Sequence, residues 1–195
     1  MYYLVQNKER GFSLTELLVA TLISGIVLGA IVSTFIMQSR SYRVQEQVTE
    51  MVQGARAAMD MISREIRMAG YDPKNAGIVG IPYSTSQLEI HMDLNGDGDT
   101  DNDTNEDIIY SYDDANDQID RNTGGSGQPF AENIQAFSFA YLDANGIATT
   151  TPANIRQIRI TITARTAGPD PDYSANGGYR TYTLTSLITP KNLAF

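Results

Sequence analysis

The sequence contains no cysteine and a single histidine, His91. Without cysteine, the chain can form neither a disulfide nor a thiolate metal site. One histidine in an alternating, strand-like stretch is typical of an ordinary surface or interstrand residue, and it does not support histidine-based catalysis or zinc binding. We also find no nucleophile motif and no phosphate-binding glycine-rich loop. We therefore predict that the protein is not an enzyme.

Positive charge is also scarce. The 195 residues include 14 Lys and Arg against 23 Asp and Glu, which gives a formal net charge of −9. Phosphate binding needs basic side chains at the contact, so nucleic acid is not predicted as the main partner. A negatively charged surface is compatible with the binding of cations. The length suffices for one domain of ordinary size with an appended element.

A long apolar run near the start is the first feature that the sequence does contain. No charged side chain occurs from Leu17 to Ser39, and about 20 such residues in a helix cross the apolar core of a bilayer. Lys8 and Arg10 precede the run. The positive-inside tendency therefore places residues 1–11 in the cytoplasm and the rest of the chain outside.

Glu16 lies at the leading edge of this run. An ionised carboxylate without a partner in lipid costs about 3 kcal/mol. A cleaved secretory signal and a plain membrane anchor both fit a basic start followed by an apolar run, but neither explains Glu16. Intramembrane carboxylates are usually paired, so Glu16 predicts a partner, which another subunit could supply. Gly25 and Gly29 have the spacing that lets membrane helices approach closely.

The stretch RGFSLTELL around Glu16 resembles the processing site of type IV prepilins and type II secretion pseudopilins. The resemblance implies that a membrane peptidase cuts after Gly11 and methylates the new amino group of Phe12. It also implies that Glu16, the fifth residue of the mature chain, pairs with the amino terminus of a neighbouring subunit during assembly. A buried carboxylate and a buried ammonium are each costly alone and offset one another when joined.

An amphipathic helix is predicted to follow the apolar run. Apolar residues recur at spacings of three and four, with charged residues and glutamines between them, which is the pattern of a helix with one apolar face. Gly70 and the following Tyr71-Asp72-Pro73 indicate the end of the helix. The apolar stripe, which we interpret as core packing rather than a cofactor site, consists of Val44, Val48, Met51, Val52, Ala55, Met59, Ile62 and Ile66.

Beyond residue 70 the patterns are those of strands. Alternation predicts strands in SQLEIHMD, EDIIYSYD, a short return through Ile119, NIQAFSFAYLDANG, IRQIRITITART and GYRTYTLTSLITP. The predicted fold is a mainly antiparallel sheet of about five or six strands packed on the amphipathic helix. Pro- and Gly-rich loops are predicted at residues 71–86, 122–131 and 166–178.

The alternation of side chains predicts specific features in two of these strands. In NIQAFSFAYLDANG, Ile134 is assigned to the face of Ala136, with Phe137 on the opposite face. In IRQIRITITART, the alternating strand includes Ile155, with an irregularity near Gln157.

One long N-terminal helix followed by a sheet is the architecture of type IV pilins, an α+β fold. The segments ISREIRMAGYDP and IRQIRITITART, with the threonine-rich terminal strand, resemble PilW-type minor pilins and the related J-type pseudopilins. This resemblance implies a position at or near a filament tip and a role in starting assembly. It divides the chain into a cytoplasmic leader that is removed (1–11), the transmembrane and assembly half of the helix (12–39), its amphipathic half (40–70) and a β-rich globular domain (71–195).

The resemblance also implies a location and partners. The protein is expected to cross the inner membrane once, with its globular domain in the periplasm, and then to enter a pilus at the cell surface. The expected partners are other pilin and minor pilin subunits, the prepilin peptidase, the inner membrane and the assembly platform proteins. Two alternatives stay open: a pseudopilin of a type II secretion system, and a membrane-anchored calcium-binding adhesive module that never polymerises.

The stretch DLNGDGDTDNDTNED, residues 93–107, is strongly acidic. Its Asp-x-Asn-x-Asp-Gly opening resembles an EF-hand-type calcium loop. The match ends at the twelfth position, where Thr104 replaces a bidentate carboxylate, and strands rather than helices flank the loop. No cofactor is required, and a solvated acidic hairpin tip is the alternative. The possible calcium ligands are Asp93, Asn95, Asp97, Asp99, Asp101, Glu106 and Asp107, with Glu106 or Asp107 closing the loop.

Overall fold

The structure is a computed structural model that describes residues 11–101 and 103–193. The chain divides into two compact units, one that ends at Gln45 and one that begins at Glu46. The predicted boundary between residues 39 and 40 rests on a change of composition and stays a prediction. Of the predicted leader, 1–11, only Gly11 is among the described residues.

A single helix, α1, extends from Leu14 to Met68. In its first part, up to Met37, the large apolar side chains are all exposed. Among the described residues, α1 is the one helix long and apolar enough to cross a membrane. So much exposed apolar surface is unstable in water, so this part of the helix needs lipid or other helices around it.

In the second unit, α1 buries one face. The buried stripe consists of Met51, Ala55, Ala58, Met59, Ile62, Ser63 and Ile66. The prediction of an apolar stripe in the core is therefore confirmed over this part of the helix. Val48 and Val52 are partly buried and pack against the same core.

The helix ends where the sequence predicted. Gly70 has a φ of +74°, a conformation that glycine adopts without a steric penalty. The N–H of Gly70 then donates to the carbonyl of His91 at 2.9 Å. The chain therefore leaves the helix by contacting the end of the first strand.

Four strands form the first sheet, in the antiparallel order β1-β2-β3-β4. They are β1 (Gln87–His91), β2 (Asp107–Asp113), β3 (Gln118–Asn122) and β4 (Gln128–Glu132). The first three were predicted, but the assignment of 122–131 to a loop is wrong in its second half. Proline cannot donate to a ladder, and Pro129 is accommodated because β4 lies at the edge of the sheet.

Three strands form a second sheet, in the antiparallel order β5-β6-β7. They are β5 (Ile134–Leu142), β6 (Gln157–Arg165) and β7 (Thr181–Ile188). The described residues therefore form seven strands in two sheets rather than five or six strands in one sheet. Asn133 separates β4 from β5 and has a φ of +58°, and this left-handed residue ends one strand and redirects the chain into the next sheet.

A bulge in β5 corrects the predicted face of Ile134. Ile134 pairs with Ala164, Phe137 pairs with Ile162, and the register shifts between Ile134 and Ala136. The extra residue of a bulge reverses the alternation. Ile134 therefore lies on the same face as Phe137 and not on that of Ala136.

The start of β6 explains the irregularity predicted near Gln157. Ile155 is buried but precedes the strand, directly after a 3₁₀ turn at Pro152–Asn154. A second short turn, Ala175–Gly178, precedes β7. Within β6 every second residue is buried, namely Ile158, Ile160, Ile162 and Ala164.

The stripe of α1 and both sheets share one hydrophobic core. The first sheet contributes Leu88, Ile90, Ile108, Tyr110 and Ile119, and the second contributes Ile134, Tyr141, Ile188 and the buried face of β6. The predicted fold class, a long N-terminal helix packed on antiparallel β-structure, is confirmed.

Candidate functional sites

The helix begins with a capping box formed by Ser13 and Glu16. The N–H and Oγ of Ser13 donate to Glu16 Oε2 at 2.8 and 2.9 Å. In return, the N–H of Glu16 donates to Ser13 Oγ at 3.2 Å. These reciprocal bonds satisfy backbone donors that the first turn of a helix leaves without partners.

The capping box gives Glu16 a role within its own chain. The spacing Ser-x-x-Glu signals it in the sequence, but our interpretation of Glu16 missed the contribution of Ser13. Within residues 11–101 and 103–193, no basic side chain pairs with Glu16. The box therefore supplies hydrogen bonds to the carboxylate, while its charge stays without a counter-ion.

The surroundings of the predicted processing site are open. Phe12 is 90% exposed and precedes the first helical residue, Leu14. Within the described residues, a Cβ added at Gly11, Gly25 or Gly29 would meet no atom within 4 Å beyond its chain neighbours and the backbone of its own helix. The two helical glycines therefore lie on exposed surface, where a second helix could approach closely.

The acidic loop is folded around two buried carboxylates, Asp93 and Glu106. Asp93 is fully buried, and its two oxygens accept the N–H groups of Gly96 at 2.5 Å and Gly98 at 3.0 Å. Both glycines have a positive φ, which lets the backbone turn around the carboxylate.

Glu106 approaches the same turn from the far end of the loop. Its Oε1 accepts the N–H groups of Leu94 at 2.7 Å and Asn95 at 2.8 Å. Only 1% of Glu106 is exposed, and its Oε2 is buried without a hydrogen-bond partner in the part of the chain that the structure describes. Oxygens of Asp93, Asp97 and Glu106 all lie within 4.8 Å of one another.

A second group of carboxylates lies on the outer side of the loop. Oxygens of Asp97, Asp99 and Asp103 also lie within 4.8 Å of one another. Asp97 Oδ1 accepts the N–H of Asp99 at 3.1 Å, and this bond is the main cause that lowers the pKa of Asp97. Asp99 Oδ1 accepts the N–H of Asp101 at 3.0 Å. Asn95 bridges the loop, since its amide donates to Asp97 Oδ2 at 2.9 Å and Asp103 Oδ2 at 3.1 Å.

Asp107 and Asp101 belong to neither group of carboxylates. Asp107 is the first residue of β2 and pairs in register with His91. Its Oδ1 lies 3.3 Å from His91 Nε2. Of the two residues that were predicted to close the loop, Glu106 is the one that reaches the other carboxylates.

The acidic loop contacts the segment that follows α1. The N–H of Asp93 donates to the carbonyl of Tyr71 at 2.7 Å, and Lys74 Nζ donates to the carbonyl of Asp97 at 2.9 Å. In that segment, Asp72 accepts the N–H groups of residues 76–78, and these bonds, led by that from Ala76, lower the pKa of Asp72. The loop is thus joined to the segment after α1 by a backbone hydrogen bond and by a bond from the Lys74 side chain.

A partly buried polar network, which was not predicted from the sequence, joins α1 to the first sheet. Glu65 accepts hydrogen bonds from the hydroxyl of Tyr110 and from Arg121 Nη2, the latter at 2.7 Å. Arg121 Nη2 also donates to Asn105 Oδ1 at 3.1 Å. Burial, and then the neighbouring Glu65, raise the pKa of Tyr110, so its hydroxyl stays protonated as a donor.

Comparison with protein families defines the class of the chain. Residues 6–32 match the prokaryotic N-terminal methylation motif, which agrees with the position of Gly11 and Phe12 before an exposed apolar helix. Residues 44–188 match the family described as prepilin peptidase-dependent protein B. The chain belongs to this family. It is therefore a type IV pilin-like structural subunit that depends on prepilin peptidase, not an enzyme.

One solved structure similar to this chain is the type IV-like pilin TTHA1219 from Thermus thermophilus. The two have 13% sequence identity and a TM-score of 0.47, over 73% of this chain and 98% of the other. A comparison with curated proteins gives no match.

Proposed function

We propose that the protein is a minor pilin, a priming or tip subunit of a type IV pilus that assembles through its N-terminal helix. The observation that carries the proposal is the methylation motif, residues 6–32, which includes the start of a helix whose large apolar side chains are exposed from Leu14 to Met37. A subunit with this much uncovered apolar surface needs lipid before assembly and other helices afterwards. The later segments resemble both PilW-type minor pilins and J-type pseudopilins, so this resemblance supports a subunit of that group and does not separate the two roles.

The proposed maturation begins in the inner membrane. Prepilin peptidase cuts after Gly11 and methylates Phe12, while the globular domain lies in the periplasm. Assembly platform proteins then move the subunit into the filament, where it contacts other pilin and minor pilin subunits. Glu16, which has no counter-ion within the described chain, meets the amino group of a neighbouring subunit.

A pseudopilin of a type II secretion system would share the cleavage site, the helix and the fold. The phenotype of a gene deletion separates the two: loss of pili, of twitching or of DNA uptake supports the minor pilin, and loss of protein secretion supports the pseudopilin. The third alternative, an anchored adhesive module, predicts that the protein never appears in filaments.

The assembly role of Glu16 can be separated from its capping role by two substitutions. Glu16→Gln removes the charge but keeps a side-chain oxygen that can accept the Ser13 N–H bond. Ser13→Ala keeps the charge and removes the Oγ bonds, at a cost of about 1 kcal/mol in helix stability. We expect Glu16→Gln to enter the membrane and be cleaved, yet to reach sheared filaments at less than about a tenth of the wild-type amount.

Ser13→Ala is the matched control and should be found in filaments at close to the wild-type amount. Immunoblots of the sheared and membrane fractions provide the measurement. Wild-type incorporation of Glu16→Gln would contradict the charge pairing. Equal loss in both variants would mean that the cap, rather than the charge, is what assembly requires.

A further inference from the structure

We propose that the acidic loop binds calcium through the carboxylates of Asp93, Asp97 and Glu106. Oxygens of these three residues lie within 4.8 Å of one another, close enough for a single cation to contact all of them. The proposal concerns the globular unit alone and does not depend on the proposed role in a pilus.

The buried oxygen of Glu106 is the observation that points to a ligand. The residue is 1% exposed, and its Oε2 is buried with no hydrogen-bond partner among residues 11–101 and 103–193, although Oε1 accepts two backbone N–H groups. A buried carboxylate oxygen without a partner is costly. A cation beside the group would satisfy this oxygen.

Charge supports the same inference. Within the described chain, no ion pair involves Asp93, Asp97 or Glu106, and the nearby Lys74 donates to a backbone carbonyl rather than to a carboxylate. Three carboxylates this close repel one another when all are ionised. A divalent cation removes that repulsion.

The donor set favours calcium over other divalent ions. All the available ligands are oxygens, whereas zinc prefers nitrogen and sulfur. Calcium accepts irregular coordination by carboxylates, carbonyls and water, whereas magnesium demands octahedral geometry and keeps most of its water. Turns at Gly96 and Gly98 wrap the backbone around Asp93, as a flexible calcium loop requires.

The loop differs from an EF-hand in how it closes. Counted from Asp93, the closing carboxylate of an EF-hand would stand at the twelfth position, occupied here by Thr104, but the chain closes with Glu106, two residues later. The flanking elements are β1 and β2 rather than helices. Since Asp93 also bonds to Tyr71, a bound cation would stabilise the attachment of the loop to the end of α1.

The test is a calcium titration of the full-length protein in detergent micelles after treatment with a chelator. Isothermal titration calorimetry should show uptake of one calcium per chain. At free calcium of about 100 times Kd, thermal unfolding of the globular unit should shift upward by about 5–10 °C. Magnesium at the same concentration should give a smaller shift.

Asp97→Asn and Glu106→Gln should abolish the calcium-dependent heat and the shift in Tm. Asp97 is exposed, so its variant should fold even if the buried Glu106→Gln does not. Asp114→Asn is the matched control, because it removes one exposed carboxylate from the turn between β2 and β3 and should bind calcium like the wild type. Absence of calcium heat in the wild type, normal uptake by Asp97→Asn, or an equal effect of magnesium would overturn the proposal.

Discussion

The side chain of Glu65 attaches the helix α1 to the first sheet. Its carboxylate lies between Tyr110 and Arg121, with only 15% of the Glu65 side chain and 18% of the Arg121 side chain exposed. The Glu65 carboxylate, the Arg121 guanidinium and the Tyr110 hydroxyl form hydrogen bonds with one another where little solvent reaches them. Removing one partner leaves the others buried without compensation.

Glu65→Gln is therefore expected to lower the free energy of unfolding by about 2–4 kcal/mol. The amide cannot neutralise Arg121, and it accepts at only one oxygen. Chemical unfolding followed by the near-ultraviolet circular dichroism of the tyrosines provides the measurement.

Asp60→Asn is the control on the same helix. Asp60 and Arg64 form an ion pair whose side chains are 59% and 73% exposed, so its loss should cost less than about 0.5 kcal/mol. Similar losses in the two variants would show that the Glu65 network contributes no more than a surface pair.

The polar network around Glu65 could not be predicted from the sequence, whereas the capping box could. The sequence places Glu65 between the apolar positions of an amphipathic helix, where an exposed residue is the default. Its partners lie in β2 and β3, and only the packed fold brings them to it. Ser13 differs, because its spacing to Glu16 is a local signal that the sequence does contain.

At the scale of elements, alternation predicted every strand except β4. The amphipathic stripe and the alternating runs are local patterns, so they can be detected before the fold is known. β4 was missed because Pro129 and the preceding glycines favour a loop, and only its edge position in the sheet permits a strand there. The bulge at Ile134 was missed because register depends on the pairing with β6.

An ion pair between Asp170 and Arg180 joins the two ends of the segment that precedes β7. Asp170 Oδ2 accepts bonds from Arg180 Nε at 2.9 Å and Nη2 at 2.7 Å. The bonds from Arg180, followed by one from the N–H of Asp172, lower the pKa of Asp170. Because the pKa of this carboxyl is lower in the folded than in the unfolded state, the ionised group stabilises the fold at pH values above the unfolded pKa of about 3.9. This contribution is lost as the pH falls through the folded pKa.

Asp170→Asn should therefore destabilise the protein at about pH 7, and the difference from the wild type should shrink as the pH falls below about 4. Urea unfolding at a series of pH values provides the measurement. Arg180→Gln removes the cause of the lowered pKa and should flatten the same part of the pH profile. A difference between Asp170→Asn and the wild type that stays constant down to about pH 3 would contradict the assignment.

The helix α1 has two kinds of surface: its large apolar side chains are exposed up to Met37, and within the second unit it buries one face in the core. The sequence pattern predicted this division. The apolar run is apolar on all sides, whereas the following part of the helix has an apolar face and a polar face. The presence of two sheets was not predictable in the same way, because it follows from the backbone conformation at Asn133. The acidic loop lies between these cases: its clustered carboxylates were recognisable in the sequence, but the buried oxygen of Glu106 became visible only in the structure.

In the assembly that we propose, prepilin peptidase exposes the amino group of Phe12, and this group neutralises the lipid-embedded Glu16 of a neighbouring subunit. The test is intact-mass and N-terminal peptide mass spectrometry of the protein from its native membrane and filaments. We expect a chain that begins at a methylated Phe12, and a Gly11→Ala variant that keeps its leader and stays out of filaments. Recovery of filament-borne protein with residues 1–11 still attached would contradict it.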